Sequence, residues 1–427
     1  MAGLPTVPGA LPVLGHAVPL LRDPLAFLRG LPRIGDLVRV RVGPLRAVVV
    51  CDAELTRQVM RNDRVFDKGG VLYEQGREIA GDGLTTCPHA RHRRQRRMLQ
   101  PAFRTDRLAG YGEVIAAEIH AEVSRWRPGE VIDVPARMLT LSTTIAVRTL
   151  LSADLSAEET RAATDDLTTV LTGASRAVLT PPPLRGFTGN GRYRRARERL
   201  RHRLGAIVAE HRANGAEGAG VLLDALLNTP GITDAEISDQ VMTFFFAASE
   251  TTANAVAWAL FLLAGDDRAR RRWHAESAAV LAGQPVGHSH LDGLRFTGWV
   301  VAEALRLYPP VWLVTRSLAE DTELAGHRLP AGTTVVCSPY LIHRTGFARP
   351  DRFDPDRWRD TSTHTALPFG LGARKCIGDQ FALAQATMTL AAIGARWRLE
   401  PVARARPAAG LSLRPRGLLM RATEPTV

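Results

Sequence analysis

A cysteine flanked by glycines and basic residues is the arrangement in this chain best suited to chemistry. Cys376 lies in the stretch FGLGARKCIG, which ends just before an apolar run with helical spacing. Gly372 and Gly378 permit close approach of the backbone to a flat, bulky group, and N–H groups at a helix start stabilise a thiolate. A thiolate facing such a group indicates a metal macrocycle, because cysteine ligation of a haem iron favours O–O cleavage. The alternative is an inert buried thiol, as most lone cysteines are.

These ten residues resemble the haem-binding signature of the cytochromes P-450, Phe-x-x-Gly-x-Arg-x-Cys-x-Gly. Every fixed position matches: Phe369, Gly372, Arg374, Cys376 and Gly378. The resemblance extends in motif order over nearly the whole chain and implies a mostly α fold with a smaller β part, in which a long central helix lies over a haem. It implies haem b as the cofactor, Cys376 as the axial ligand of its iron, and the other four residues as parts of the haem site.

Composition indicates an ordinary globular protein rather than a nucleic-acid-binding or disulfide-rich one. The chain has 427 residues, of which 45% are hydrophobic and 23% charged, and no long linker or repeat divides it, so one domain spanning 1–427 is expected. The net charge is +12, but the cations are almost all arginines spread among acids, and no groove-reading motif is present. The four cysteines have irregular spacing, which fits a reducing compartment.

The N-terminal region does not predict a membrane span. Its apolar stretch, from Leu11 to Leu21, is interrupted by Pro12, Gly15 and Pro19, and it falls short of the roughly 20 residues that a span needs. It also lacks the flanks of a signal peptide. A cytoplasmic protein is expected.

The longest helical pattern begins at a capping box, Thr233 to Glu236, and runs to about Leu263. Its apolar faces are interrupted by the small and polar stretch AASETT, which contains Glu250 and Thr251. A polar stretch is costly in a core unless it is needed, although Thr251 alternatively bonds back to the preceding turn and bends the helix. The resemblance implies that Glu250 and Thr251 position water and deliver protons to oxygen.

Two further sets of residues acquire roles through the resemblance. His92 and Arg96 share a face of an arginine-rich helix; alone they indicate a solvated basic face, but the family binds haem propionates here and through an arginine at the position of Arg316. Glu303 and Arg306 are spaced i, i+3 on one helix face, which alone is common on surface helices. Together with a later segment that contains Arg357 and resembles Pro-Glu-Arg-Phe, they match a pattern of the family. The resemblance implies that Glu303, Arg306 and Arg357 form a buried triad supporting the cysteine loop.

The expected function is oxygen insertion from O2 into an apolar small molecule. Four residues are expected to line the substrate pocket: Phe244, Ala247, Val311 and Leu313. The arginine-rich helix and the Trp358 that follows Arg357 resemble actinobacterial terpenoid oxygenases, which suggests a sesquiterpene-like substrate of secondary metabolism. Fatty-acid or macrolide hydroxylation remains the alternative, and a catalytically silent haem sensor is the alternative of another class. Because no flavin domain is present, a separate ferredoxin and ferredoxin reductase are expected as electron donors to a monomer.

Periodicity and turn residues predict the remaining elements. A hairpin is expected over 38–51, a long loop without regular structure, either functional or disordered, over 66–88, and one strand over each of 333–338, 397–400 and 411–421. Helices are expected at about 54–62, 89–99, 105–126, 156–176, 192–212 and 294–307. By resemblance, the helices at 156–176 and 192–212 and the prolines 181–183 between them form a lid over the substrate.

Overall fold

The computed structural model describes residues 3–179, 191–214, 222–360 and 366–424. Helices dominate these ranges. They are α1 Ala17–Arg22, α2 Pro24–Gly30, α3 Ala53–Arg61, α4 Val71–Ala80, α5 His89–Leu99, α6 Thr105–Ser124, α7 Val134–Leu150, α8 Ala157–Leu179, α9 Gly191–Ala213, α10 Leu222–Leu227, α11 Asp234–Ala264, α12 Asp267–Leu281, α13 Arg295–Leu307, α14 Pro339–Thr345 and α15 Asp379–Arg396.

The strands form a smaller part beside the helices. They are β1 Leu37–Val42, β2 Leu45–Val50, β3 Phe66–Asp67, β4 Val131–Asp133, β5 Val314–Leu318, β6 Thr322–Leu324, β7 His327–Leu329, β8 Thr334–Cys337, β9 Arg398–Pro401, β10 Arg406–Ala409, β11 Leu413–Arg416 and β12 Leu419–Thr423. The largest sheet has the order β1-β2-β8-β5-β3, in which β2 and β8 run parallel and the other pairs antiparallel. The predicted fold class, mostly α with a smaller β part, is confirmed.

The central helix α11 begins with the predicted capping box: Thr233 accepts a bond from the Glu236 backbone, and the Glu236 side chain accepts one from the Thr233 N–H. It is buried on nearly all sides and packs against α7, α13 and α15. Trp258 stacks on Tyr308 with ring centroids 3.9 Å apart and donates to the Leu413 carbonyl oxygen. The helix is therefore clamped between α13 and the C-terminal strands.

By length and composition α11 also resembles a membrane-spanning helix. Within the described residues it alone passes that test, and its most apolar window is 61% buried inside the protein. Burial by other helices of the same chain is the pattern of a core helix.

Most predicted elements are confirmed, and two predictions are wrong. The expected loop over 66–88 contains α4, which begins after Gly70 and ends at Gly81, both at positive φ. The expected strand over 411–421 is divided into β11 and β12 by Gly417, at φ +73. The lid prediction partly lies outside the described residues, since these omit 180–190; α8 and α9 pack against each other on either side of that gap.

Candidate active site

A cavity of about 390 Å³ separates the cysteine loop from the central helix. The volume is within the range of small-molecule pockets. Most of its lining comes from four regions that lie far apart in the sequence: the cysteine loop, the middle of α11, the segment from Pro310 to Arg316, and the basic helix α5 with the chain before it. Residues of α3, α7, α13, α14 and α15 also border it. Cys376 and Thr251 both border it, so the structure brings the two predicted chemical centres to one site.

The loop that presents Cys376 is held by a hydrogen bond within its own backbone and by a side chain of α5. The Cys376 N–H donates to the Phe369 carbonyl oxygen at 2.8 Å, and the Arg96 guanidinium donates to the Lys375 carbonyl oxygen at 2.5 Å. Gly378 then serves as the N-cap of α15. Cys376 has accessible surface and borders the cavity, so it is open to this internal space rather than packed in the core, whereas Cys51, Cys87 and Cys337 are buried elsewhere.

Burial raises the pKa of the Cys376 thiol, while the Gly378 N–H and the charges of Arg96 and Lys375 act in the opposite direction. The protein alone therefore does not hold this sulfur as a thiolate. A bound metal cation deprotonates a coordinating thiol outright. The loop presents the Cys376 sulfur at the cavity, and coordination to a metal would deprotonate it.

The structure requires a small residue at Gly372 for a different reason than the close approach to a flat group that the sequence predicts for Gly372 and Gly378. Gly372 has φ +67, and a Cβ there would lie 3.0 Å from the Arg61 Cα, so its smallness accommodates α3 rather than the cavity. It does not border the cavity as described, whereas Gly370, also at positive φ, does. Gly378 borders the cavity, and a Cβ there would make an ordinary contact with Phe103.

Cations gather along one edge of the cavity. His92, Arg96, Arg316 and Arg374 all border it, and two further residues, Lys68 and Tyr73, border it beside them. Burial, together with the nearby charges of Arg374, Lys68 and Arg96, lowers the pKa of His92 to about 3. Burial lowers the pKa of Lys68 to about 7, assisted by Arg374 and Arg316. Although the His92 ring is therefore neutral, the guanidinium groups of Arg96, Arg316 and Arg374 outnumber the neighbouring acids Asp63 and Asp67, so this edge carries net positive charge.

The acids that border this group, Asp63 and Asp67, are both engaged by Arg374. Its Nε donates to Asp63 and its Nη2 to Asp67, each at 2.8 Å, and its Nη1 donates to the Cys87 carbonyl oxygen at 2.9 Å. The buried Arg374 is thereby satisfied without a further anion, and its direct contact with a propionate stays a prediction. Asp63 also accepts a bond from His89, 3.1 Å away.

Arg316, unlike Arg374, has an N–H group that is free to bind a further acceptor. One Nη atom donates to the Tyr73 hydroxyl at 3.0 Å, but the buried Nε has no hydrogen-bond partner among the described residues. Buried guanidinium groups that lack partners are costly. An unpartnered Nε beside Lys68 and His92 fits a group that brings anionic oxygens into the cavity, as the two carboxylates of a haem would.

The two polar residues Glu250 and Thr251 on α11 lie in different environments. The Thr251 hydroxyl borders the cavity and donates to the Ala247 carbonyl oxygen at 2.7 Å. The bond to the preceding turn is therefore present, and the oxygen retains two acceptor positions. Glu250 points away from the described cavity lining: the Ser412 hydroxyl donates to it at 2.5 Å and in turn accepts from Asn254. Burial raises the pKa of the Glu250 carboxyl, which favours its protonated form.

The side chains of Glu303 and Arg306 are fully buried and paired through two 2.8 Å bonds. Arg357 lies 3.5 Å from the same carboxylate, which also accepts from the Trp358 indole at 2.9 Å. The remaining Arg306 donors reach three carbonyl oxygens, those of His343, Pro350 and Arg352. Such complete pairing is what makes a buried charge tolerable.

His343 connects this triad to the cysteine loop, a link that the sequence analysis misses. Its Nδ1 lies 3.0 Å from the Arg306 carbonyl oxygen, and its Nε2 accepts from the Leu367 N–H at 2.7 Å. Burial lowers the pKa of His343 to about 3, so the ring is neutral and can serve as both donor and acceptor. Since the Leu367 carbonyl accepts from Gly370, the triad supports the loop through one histidine.

We expect Glu303→Gln to lower the free energy of unfolding by about 3–5 kcal/mol, the usual cost of breaking one member of a buried pair. Urea unfolding followed by circular dichroism measures this. The matched control is Glu54→Gln, which removes another i, i+3 carboxylate, paired with Arg57 but 70% exposed; it should change stability by less than about 1 kcal/mol. Equal effects of the two variants would contradict a supporting role of the triad.

Three of the four expected pocket residues border the cavity. Phe244, Ala247 and Val311 line it, and Phe244 stacks on Phe103 with centroids 5.4 Å apart. Leu313 does not border it as described, because it packs against the hydrophobic core instead; its neighbour Val314 lines the cavity. Leu313 directly precedes β5, which begins at Val314, and adjacent side chains of an extended segment point to opposite sides.

Comparison with known proteins agrees with this site. The family model described as Cytochrome P450 matches residues 5–423. The chain belongs to the cytochrome P450 family. Cytochromes P450 bind haem and, with electrons from a redox partner, use O2 to oxidise hydrophobic molecules, so the chain is a monooxygenase.

Several proteins of Streptomyces are similar to this P450 over nearly its full length. Pentalenene oxygenase of Streptomyces avermitilis is 42% identical, over 99% of this chain and 97% of the relative. Cyclooctatin synthase of Streptomyces melanosporofaciens is 42% identical, over 96% and 91%. Cyclooctat-9-en-7-ol 5-monooxygenase of the same organism is 40% identical, over 93% and 90%.

Two residues that the sequence analysis does not name, Lys68 and Tyr73, also border the cavity at the cationic edge in this P450. The composition singles out Lys68, because Lys68 and Lys375 are the only lysines among the 55 lysine and arginine residues of the chain. Tyr73 has no comparable signal, since its position depends on α4, which the sequence pattern does not reveal.

Proposed function

We propose that this P450 inserts oxygen into a terpenoid of sesquiterpene-like size, in secondary metabolism. The supporting observation is the division of the cavity: its cations lie along one edge, and the wall formed by α11 and the segment after Pro310 is apolar, with Phe244, Ala247, Val311 and Val314. An apolar wall suits a hydrocarbon, whose burial contributes about 25 cal/mol per Å². The names of the similar Streptomyces proteins favour the same substrate class.

The proposal assigns haem b to this cavity. Cys376 would ligate the iron, while His92, Arg96, Arg316 and Lys68 would bind the propionates, with Tyr73 orienting Arg316. Phe369 and Gly378 border the same space, and Arg374 would fix the loop through Asp63 and Asp67. When bound, a cysteine-ligated haem supplies O2 binding and O–O cleavage.

Glu250 and Thr251 would manage protons at this site. The Thr251 hydroxyl can hold a water through its free acceptor positions, and the hydroxyl proton itself is held by Ala247. The raised pKa of Glu250 lets this carboxyl hold a proton more readily than an exposed one. The Ser412 hydroxyl and Asn254 fix its orientation.

The experiment that tests this function combines binding and turnover. The haem-loaded protein, with a ferredoxin and ferredoxin reductase, is given a panel of terpene hydrocarbons and fatty acids under isotopically labelled dioxygen. We expect substrate-induced spin-state shifts and labelled alcohol products with terpenes. Fatty acids that bind more tightly than every terpene and yield the labelled product would contradict the proposed substrate class.

The electron donor is proposed to be a small acidic ferredoxin that docks behind the cysteine loop, in the cytoplasm. An open basic groove of about 580 Å³ lies there, lined by Arg93, Arg96, Arg97 and Arg104 with His89, His92, Asp63, Gln100, Pro101 and Ala373. Arg96 connects the groove to the loop through the Lys375 carbonyl oxygen. Complementary charge accelerates encounter and is screened by salt.

We expect the rate constant for reduction by such a ferredoxin to fall as ionic strength rises. Arg97→Glu should lower it about tenfold at low salt, because charge at a docking face acts mainly on association. Arg406→Glu, an exposed arginine on β10, is the matched control and should leave it unchanged. Stopped-flow reduction under carbon monoxide measures both. A rate independent of salt, or an equal loss in both variants, would contradict this docking face.

A further inference from the structure

Exposed aliphatic side chains concentrate at one place on the surface, around the N-terminal turn and the β1–β2 hairpin. Among the large hydrophobic residues that the structure exposes, six of nine lie there: Leu11, Val13, Leu14, Val18, Leu21 and Leu45. We call these six residues the N-terminal patch. Single exposed aliphatic side chains are ordinary, but a cluster of them is typical of interaction sites.

The N-terminal patch lies on an ordered turn that hydrogen bonds hold in place. Leu11 and Gly15 exchange two backbone hydrogen bonds of 2.9 Å, and the Leu14 carbonyl oxygen accepts from Gly43 in the hairpin turn. The buried His16 ring fixes the base of the turn, with Nε2 2.9 Å from the Val7 carbonyl oxygen and Nδ1 3.1 Å from that of Arg41. Leu45 pairs with Val42 across the hairpin and joins the same end of the sheet.

Val13 stands at the apex of this turn in an unfavourable conformation. Its φ is +60, a left-handed value that a β-branched side chain rarely adopts, and its side chain is 83% exposed. Neither the strained backbone of Val13 nor the exposure of its side chain stabilises the folded state. Strained residues persist where the surrounding structure enforces them, and they are frequent at functional sites.

Positive charge surrounds the patch. Arg22 and Arg46 are exposed beside it, and Arg41 lies on β1 with its guanidinium bonded to the Leu11 carbonyl oxygen. Residues 3–22 contain no acid, and the first one after them, Asp23, is occupied as the N-cap of α2. An aliphatic tip ringed by arginines complements an anionic lipid surface, where apolar side chains enter the interface and cations meet the headgroups.

We propose that the N-terminal patch binds this P450 reversibly to the surface of an anionic lipid bilayer. The shape of the patch favours a bilayer over a second protein: Val13 projects from a narrow turn, and a fluid interface accommodates a projection without a matching pocket. The proposal is independent of the substrate class, although a membrane is also where apolar substrates of any kind accumulate.

The test is co-sedimentation of the haem-loaded full chain with vesicles of phosphatidylcholine alone or with phosphatidylglycerol. We expect binding to the anionic vesicles that weakens at high salt, and weaker binding to the neutral ones. Val13→Asn is the decisive variant, because asparagine tolerates positive φ better than valine while it removes the apolar tip. It should raise the melting temperature and yet lower the vesicle partition coefficient about tenfold or more.

Control variants separate the patch from general surface hydrophobicity. Leu21→Asn should lower vesicle binding as Val13→Asn does, and Arg46→Glu should lower it on anionic vesicles. Val131→Asn and Val402→Asn, at side chains 44% and 43% exposed elsewhere on the surface, should leave it unchanged. Equal losses in these controls, no binding of the wild type at millimolar lipid, or a dimer in sedimentation equilibrium that Val13→Asn dissociates would each overturn the proposal.

Discussion

Cys376→Ala is expected to abolish the red-shifted absorption band of the reduced carbon monoxide complex completely. That band depends on a thiolate ligand, and Cys376 is the accessible thiol that borders the cavity, while Cys51, Cys87 and Cys337 are buried. Absorption spectra of the reduced protein, recorded with and without carbon monoxide, measure the effect. A variant that keeps the band would show that another residue ligates the iron.

Loss of haem would also remove the band, so a second variant is needed. Cys376→His offers an imidazole from the same turn, and we expect it to retain haem with a band that is not red-shifted. Cys51→Ala is the matched control, since that thiol is packed in the hydrophobic core; it should keep the full band. A red-shifted band in Cys376→His, or its loss in Cys51→Ala, would contradict the assignment.

The sequence predicts those parts of the fold that local chemistry decides. The capping box at Thr233, the alternation in the hairpin and the prolines after Leu307 each act within a few residues, and each element appears where it is expected. The cysteine loop belongs to the same class, because its glycines and its hydrogen bond from Cys376 to Phe369 are contained in ten residues.

Elements that depend on tertiary burial are not predicted. Helix α7 carries β-branched residues that favour strands by propensity, and it is helical because it packs along α11. Within it Thr140, Thr144 and Thr149 each donate to the carbonyl oxygen four residues before, which satisfies their hydroxyls inside the helix. Helix α4 contains Gly76 and no clean period, and its ends are set by glycines at positive φ.

The site shows the same division between local and distant causes. Motif positions identify residues that the fold brings to the cavity, Cys376 and Thr251, and to the buried ion pair, Glu303. The partners of these residues come from distant segments. Ser412 reaches Glu250 because the chain at β11 packs on α11, and His343 reaches the Arg306 carbonyl oxygen because α14 packs on α13. No spacing in the sequence reports such contacts, since they are consequences of the assembled fold.

Thr251→Ala is expected to separate electron consumption from product formation. The Thr251 hydroxyl borders the cavity but makes its only recorded hydrogen bond, among the described residues, to the Ala247 carbonyl oxygen within its own helix. Removing it therefore leaves the contacts of Cys376 and the apolar wall unchanged. We expect the thiolate spectrum and substrate binding to persist, whereas product per reducing equivalent falls by about 10²-fold, the usual contribution of general acid assistance, and hydrogen peroxide accumulates.

Two variants decide between proton delivery and a purely structural role for that hydroxyl. Thr149→Ala removes a buried threonine hydroxyl with the same bond to the carbonyl oxygen four residues before, 2.6 Å to Ile145, so it should alter stability slightly and leave coupling intact. Thr251→Ser keeps a hydroxyl at the cavity and should retain most of the product yield. Coupling is measured as product and peroxide per reduced nicotinamide consumed. Unchanged coupling in Thr251→Ala would leave this residue as a helix-bending one, because the bond to Ala247 would then be its whole contribution.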